Sequence, residues 1–396
     1  MTALPAKLLD EARAALPRAV ELRRRIHERP ELGLDLPETT AALLESLEDL
    51  GLELARSRAT SGVVARLRGA GRGPTVLLRA DMDALPMPED TGLPFASRVS
   101  GRMHACGHDA HTAMLASAAR LLVRHRDSLR GDVLLLFQPG EEGFAGARVM
   151  LGEKLFDPSE VARAFALHVD PRVAVGRVAS RAGSLLASAD SFSISLTGRG
   201  GHASMPHDAL DPIPIACEIV QAIQSFVTRR IDAFDPAVIS VTKIAAGTTV
   251  NVIPESAEIL GTIRATSPRA RELAHAGLRQ VAEGVASAHG AKAKVTVLEG
   301  YPVTVNDAEQ SEFARGVVRE LLGDGAYVAM PTPVMGAEDF SFVLEKIPGA
   351  MLFLGVRPED PSLRAPCHSN RMVLNEDGMA HGIALHAALA LRALAS

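Results

Sequence analysis

The chain has 396 residues, 47% hydrophobic and 22% charged, with a formal net charge of −5. That length exceeds one ordinary core and suggests two or three domains. The mild acidity, without any basic block, speaks against nucleic acid or an anionic membrane as partner, and no run of about 18 apolar residues is present to cross a bilayer.

In chain order, MTALPAKLLDEARAALPRAVELRRRIHERP alternates charged and apolar residues at helical spacing. It lacks the apolar core of a signal peptide, so it reads as a surface helix of the mature protein. SGVVARL, PTVLLRA, DVLLLFQ and VARAFALHV each read as a buried strand, and residues 110–125 repeat apolar side chains every three or four positions. Strands interleaved with helices imply a mostly parallel sheet sandwiched by helices, with ligands beyond the carboxyl ends of the strands. From SFSISLT (191–197) onward the pattern alternates polar and apolar, and the order becomes β-α-β-β-α-β, a ferredoxin-like α+β unit. The last hundred residues return to the first style. The expected architecture is one discontinuous α/β domain, residues 1–185 and 300–396, interrupted by a smaller inserted domain over residues 186–299.

Chemistry-bearing residues gather at the expected strand ends. HACGHDAH (104–111) holds three histidines, a cysteine and an aspartate. Cys106 and His108, flanking Gly107, are expected in a loop that opens the 110–125 helix. There they could grip a borderline-soft ion, or be no more than a buried thiol beside a capping histidine. Asp81 and Asp83 end one strand, where paired carboxylates are costly unless they bind something positive. Glu141 and Glu142 end another, and two such glutamates can divide their labour, one ligating a metal and its neighbour acting as general base. His168 closes a third strand, and His368 comes much later, in PCHSN. Cys106, Cys217 and Cys367 are too few and scattered for a disulfide framework, which favours a reducing cytoplasm.

RADMDALP, GRMHACGHDAH, QPGEEG, the LHV at His168, GRGGHASMPH, NVIP, GTIR, MGAEDFS and CHS follow one another along nearly the whole chain. In that order they resemble the aminoacylase/carboxypeptidase G superfamily of metallopeptidases. The closest likeness is to its amidohydrolase branch of hippurate hydrolases, N-acyl-amino-acid amidohydrolases and auxin-conjugate hydrolases. The resemblance implies a metal-dependent hydrolase that cleaves the amide bond of small-molecule N-acyl amino acids or peptides. It implies two divalent ions held by Cys106, His108, Glu142, His168 and His368, with Glu141 as general acid/base. Where the superfamily has His-x-Asp this chain has Asp81-Met82-Asp83, so either aspartate could touch metal or only orient a ligand. Gly140, where relatives commonly carry alanine, is expected to cost no chemistry. In the inserted domain the resemblance implies that His202 serves the active site of a partner protomer and that Asn251 and Arg264 bind substrate. The assembly implied is a homodimer, or a tetramer, formed through that dimerisation and lid domain. The thiolate–imidazole set favours zinc, cobalt or nickel, and its carboxylates admit manganese.

Other residues carry blander expectations: His111 packs or supports a ligand, Cys367 is a neighbour of the centre, and Cys217 belongs to a helical core. Two rival readings are a hydrolase with Cys106 as nucleophile, and a non-catalytic relative. A dipeptidase or carboxypeptidase of the same fold is a third.

Overall fold

A computed structural model describes residues 3–395. The chain forms two compact units. One takes the chain up to Leu185, then Val305–Thr332, then everything from Asp339; the other is Leu186–Thr304 with a short return over Pro333–Glu338.

The first unit is built on an eight-stranded sheet. Its centre is four neighbouring strands in the spatial order Arg130–Gln138, Gly71–Asp81, Val161–Asp170 and Gly349–Gly355. Each runs parallel to the next. Their cores read VLLLF, VLLRA, FALHV and AMLFL and are buried almost throughout, because a parallel sheet covered on both faces leaves no wet side for polar residues. The flanks are mixed. Val63–Arg68 pairs antiparallel to the Arg130 strand and is itself bordered by Glu53–Arg56. Beyond Gly349–Gly355 lie the short Val178–Ser180, antiparallel, and Tyr327–Ala329.

Helices Ala3–His27, His108–Arg124 and Gly378–Ala393 pack on one another. The last is Ala- and Leu-rich on every side and buries all but a few of its residues, as an all-apolar helix must. The second helix begins at His108, two residues earlier than its periodicity suggests, because Gly107 takes the N-cap position with φ +86°. A Cβ there would also stand 2.4 Å from Val169 Cγ2, so both backbone and space demand glycine between Cys106 and His108.

The second unit has a four-stranded antiparallel sheet in the order Ala237–Ala246, Ser256–Ala265, Ala189–Thr197, Lys292–Tyr301. Helices Pro212–Arg230 and Pro268–Ala288 complete the chain order β-α-β-β-α-β. Strand Ser256–Ala265 alternates strictly between buried and less buried residues, and Ile259 stands opposite Ile194 across the sheet. The helices lay the stripes Ile215–Ile219–Ile223 and Ala274–Leu278–Ala282–Ala286 into the same core. Both start on a side-chain cap: Asp211 accepts from the Ile213 N–H and Ser267 from the Ala270 N–H. Cys217, expected in this core, is exposed instead. The buried stripe runs through Ile215, Ala216 and Ile219, and one residue past Ala216 the helix has turned about 100° away.

Candidate metal centre

Four parallel strands that end on one edge deliver most of the polar cluster. Asp81 is the last residue of Gly71–Asp81, with Asp83 two residues on; Glu141 and Glu142 follow Arg130–Gln138; His168 sits near the end of Val161–Asp170. Cys106 and His108 come from the start of helix His108–Arg124. His368 comes from the loop after Gly349–Gly355, and its N–H donates to the Ala105 carbonyl at 2.8 Å, tying that loop to the Cys106 segment.

The ligand-capable atoms converge in overlapping sets, each within 4.8 Å: Cys106–His108–His168, Cys106–Glu142–His368 and His108–Glu141–Glu142. Cys106 Sγ is 3.3 Å from His168 Nε2, and His368 Nε2 is 3.3 Å from Glu142 Oε1. His168 donates its Nδ1–H to the Val169 carbonyl at 2.7 Å, which leaves the Nε2 lone pair facing the thiol. His368 holds a left-handed backbone, φ +67°, rare for a residue with a Cβ. His108 is fully buried, and neither ring nitrogen has a hydrogen-bond partner among the described residues. An imidazole so placed is costly unless something else satisfies it.

Electrostatics point the same way. Burial opposes a charge on His108, yet the carboxylates of Asp81, Asp83 and Glu142 push its pKa well above the usual imidazole value. The Cys106 thiol is held well above the ordinary range, first by its contact with Cys367, then by burial and by Glu142 and Glu141. A carboxylate-rich pocket that raises both a thiol and an imidazole lacks positive charge, and a divalent cation is the species that would let sulfur ionise and imidazole ligate together. Thiolate, imidazole and carboxylate donors fit such an ion.

Asp81 and Asp83 are engaged elsewhere. Asp83 accepts from the Glu141 N–H at 2.9 Å and the Glu142 N–H at 3.0 Å, one on each oxygen, and so holds the two-glutamate turn. Asp81 accepts from His111 Nδ1 on one oxygen and Arg79 on the other, both at 2.5 Å. His111 in turn accepts the Val169 N–H at Nε2, 2.8 Å. Both its nitrogens are therefore used in bracing the His168 strand against the Asp81 strand. Gly140 has φ +76°, and a Cβ there would come within 2.4 Å of Leu34 Cδ2; alanine at this turn would be strained.

Two buried networks behind the cluster had no role in the sequence reading. Arg79 reaches Gln138 and Asp339 as well as Asp81, and Asp339 also accepts from Gln138 Nε2 and the Ala147 N–H. The one sequence signal was an arginine inside an apolar strand, with the aspartate of MGAEDFS. On the other side Asp109, next to His108, accepts from Arg23 at 3.0 Å and His27 at 2.8 Å. Burial works against the His27 charge, but Asp109 and Glu89 outweigh it and raise its pKa to about 9.

The remaining named residues lie in the second unit. His202, exposed, is paired in register with Val252, and its Nδ1 accepts from the Ser204 N–H at 3.1 Å. The Asn251 carbonyl accepts from the Ala203 N–H at 3.0 Å, so His202 and Asn251 share one two-stranded ribbon. Arg264 is half-buried on strand Ser256–Ala265, opposite Val238, with no ion-pair partner among the described residues.

Comparison with known proteins adds the following. The profile described as peptidase family M20/M25/M40 matches residues 77–392. The chain is 39% identical to thermostable carboxypeptidase 1 of Saccharolobus solfataricus over 98% of either chain. It is 41% identical to IAA-amino acid hydrolase ILR1-like 2 of Arabidopsis thaliana over 95% of this chain and 85% of that one. Among solved structures, a dinuclear metal-binding M20 peptidase of Bacillus subtilis superposes with a TM-score of 0.84 at 35% identity, covering 96% of this chain and 99% of the other.

Proposed function

Because the chain belongs to peptidase family M20/M25/M40, and is thereby a hydrolase of amide bonds with a centre for two divalent ions, we propose that its substrates are N-acyl amino acids, hippurate-like or N-acetylated. Cys106, His108, Glu142, His168 and His368 would hold the ions. Zinc suits the donors best, with manganese, cobalt and nickel as alternatives. Bound there, the ions supply Lewis acidity that polarises a carbonyl and acidifies water. Glu141 is the general acid/base: its carboxylate takes the proton of the attacking water and returns it to the amine nitrogen as the amide C–N bond breaks. Asp83 fixes Glu141 for this by accepting its N–H, while Asp81 and His111 act as positioning residues.

In a homodimer His202 donates a hydrogen bond to the developing oxyanion of the partner protomer's site, while Asn251 and Arg264 take the substrate carboxylate. The inserted domain, residues 186–299, serves as dimerisation and lid element. A cytoplasmic location suits the free thiols Cys106, Cys217 and Cys367; among the described residues no helix is long and apolar enough to cross a membrane.

The observation that carries this reading is a buried Glu141 beside a Glu142 that faces His108 and His368. Glu141→Gln is expected to keep its metal by elemental analysis while kcat falls ~10²–10⁴-fold. Undiminished turnover would remove the general base. The carboxypeptidase relative supports a second reading, a peptidase of the same site. A panel of N-acetyl, N-benzoyl and dipeptide substrates separates the two by kcat/KM. Cys106 as nucleophile is a weaker reading, since it leaves the convergent Glu141, Glu142 and His368 without a role. Chelation should abolish activity, whereas a cysteine hydrolase would survive it.

A further inference from the structure

Cys367 has no part in the proposed chemistry, yet its sulfur lies against the same strand end as that of Cys106: Cys106 Sγ is 3.3 Å from His168 Nε2, and Cys367 Sγ is 3.9 Å from the carbonyl of the next residue, Val169. The two segments are held in this register by the His368 N–H to Ala105 carbonyl bond, 2.8 Å, so the approach of the two sulfurs is fixed by backbone on both sides. Cys106 is 7% exposed and Cys367 is only partly buried, which makes Cys367 the sulfur a solute meets first. Cys217, the remaining thiol, is exposed on a helix of the other unit.

We propose that Cys106 and Cys367 are an oxidative modification site, at which a hydroperoxide converts the pair to a disulfide and withdraws the sulfur that metal loading needs. The inference rests on Cys106 being a ligand. In the first step the Cys367 sulfur attacks the distal peroxide oxygen: an S–O bond forms, the O–O bond breaks, and an alcohol (or water, from hydrogen peroxide) leaves with the thiol proton. In the second, the Cys106 sulfur attacks the resulting sulfenic acid: S–S forms, S–O breaks, and water leaves with the Cys106 proton. Two thiols lose two electrons, the peroxide gains them, and a dithiol reverses the change by exchange. The disulfide sulfur no longer ionises, so it cannot serve as a thiolate ligand. Cys367 thereby also spares Cys106 from the irreversible sulfinic state.

The test uses the full-length protein as purified and after chelator treatment, exposed to hydrogen peroxide, alkylated and digested for peptide mass mapping. The expected product is a peptide pair linked through Cys106 and Cys367, with Cys217 alkylated. Zinc uptake by the oxidised protein should fall roughly tenfold or more and return with dithiothreitol. Cys367→Ala should load zinc normally when reduced, form no such link, and lose uptake to peroxide in a way dithiothreitol does not restore. Recovery of Cys106 and Cys367 as separate alkylated or singly oxidised peptides overturns the inference and leaves the hydrolase reading standing. A link that forms while zinc uptake stays undiminished overturns the gating, and with it Cys106 as a ligand.

Discussion

The two units spend their interiors differently. In the second, the core is Ile194, Ile259, Ile263 and the Ile and Ala stripes of two helices, and buried charge is sparse, with Asp190 held by Arg271 and His275. In the first, an apolar sheet ends in a knot of buried Asp81, Asp83, His108, His111 and Glu141. Each of these would be unfavourable alone. They are tolerated because each braces another or faces a place suited to a cation. Polar burial in the first unit is therefore gathered at one strand edge, whereas in the second it is dispersed and the buried charge of Asp190 is met by its own ion pairs.

That contrast can be broken by substitution. The largest effect on stability is expected in the second unit: Ile259→Ala, a fully buried side chain, should cost about 2–5 kcal/mol, seen as a lower denaturant midpoint with zinc stoichiometry unchanged in the folded protein. Asp83→Asn should do the reverse in the first unit, lowering metal affinity or kcat ~10–100-fold with a small change in midpoint. If Asp83→Asn were silent, its two N–H contacts would be packing detail and not support. Gly140→Ala is expected to cost about 1–2 kcal/mol, because the turn needs φ +76°; a neutral result by denaturation would show that the turn relaxes around Leu34.

The smallest effect concerns a buried charged cluster of the second unit. Asp190 is buried, which opposes its charge, but Arg271, His275 and the Gly300 N–H hold its pKa well below the usual carboxylate value. A depressed folded value means the contribution is present above the unfolded pKa of about 3.9 and is lost as pH falls below it toward the folded value. Asp190→Asn should therefore lower the urea midpoint at pH 7 and flatten its decline below about pH 4. An unchanged acid limb would assign that decline to other carboxylates.

Much of this was readable in the chain. Continuous apolar runs such as VLLLF give central strands, strict alternation in SAEILGTIRA gives a half-wet one, and the structure has both where the patterns put them. Glu142 and His168 could be singled out because such residue types at strand ends have few other uses, whereas the full set with Cys106, His108 and His368 came from the resemblance; their ligand-capable atoms lie in overlapping groups. What escaped was long-range pairing. Arg79 with Asp339, or Cys106 with Cys367, are separated by some two-thirds of the sequence, and no local periodicity encodes a partner at that distance. Cys217 escaped for a smaller reason, a helical stripe displaced by a single residue.

The strand order has a consequence for biosynthesis. Gly349–Gly355 lies beside Val161–Asp170, and His368 follows it. The proposed set of donors is therefore complete only once the chain has been made as far as residue 368. By then the antiparallel sheet of the second unit, contiguous in sequence and finished by Tyr301, has long left the exit tunnel and can already be native. Nascent chains shorter than 368 residues lack one of the proposed donors, so folding of the second unit can precede any binding of metal.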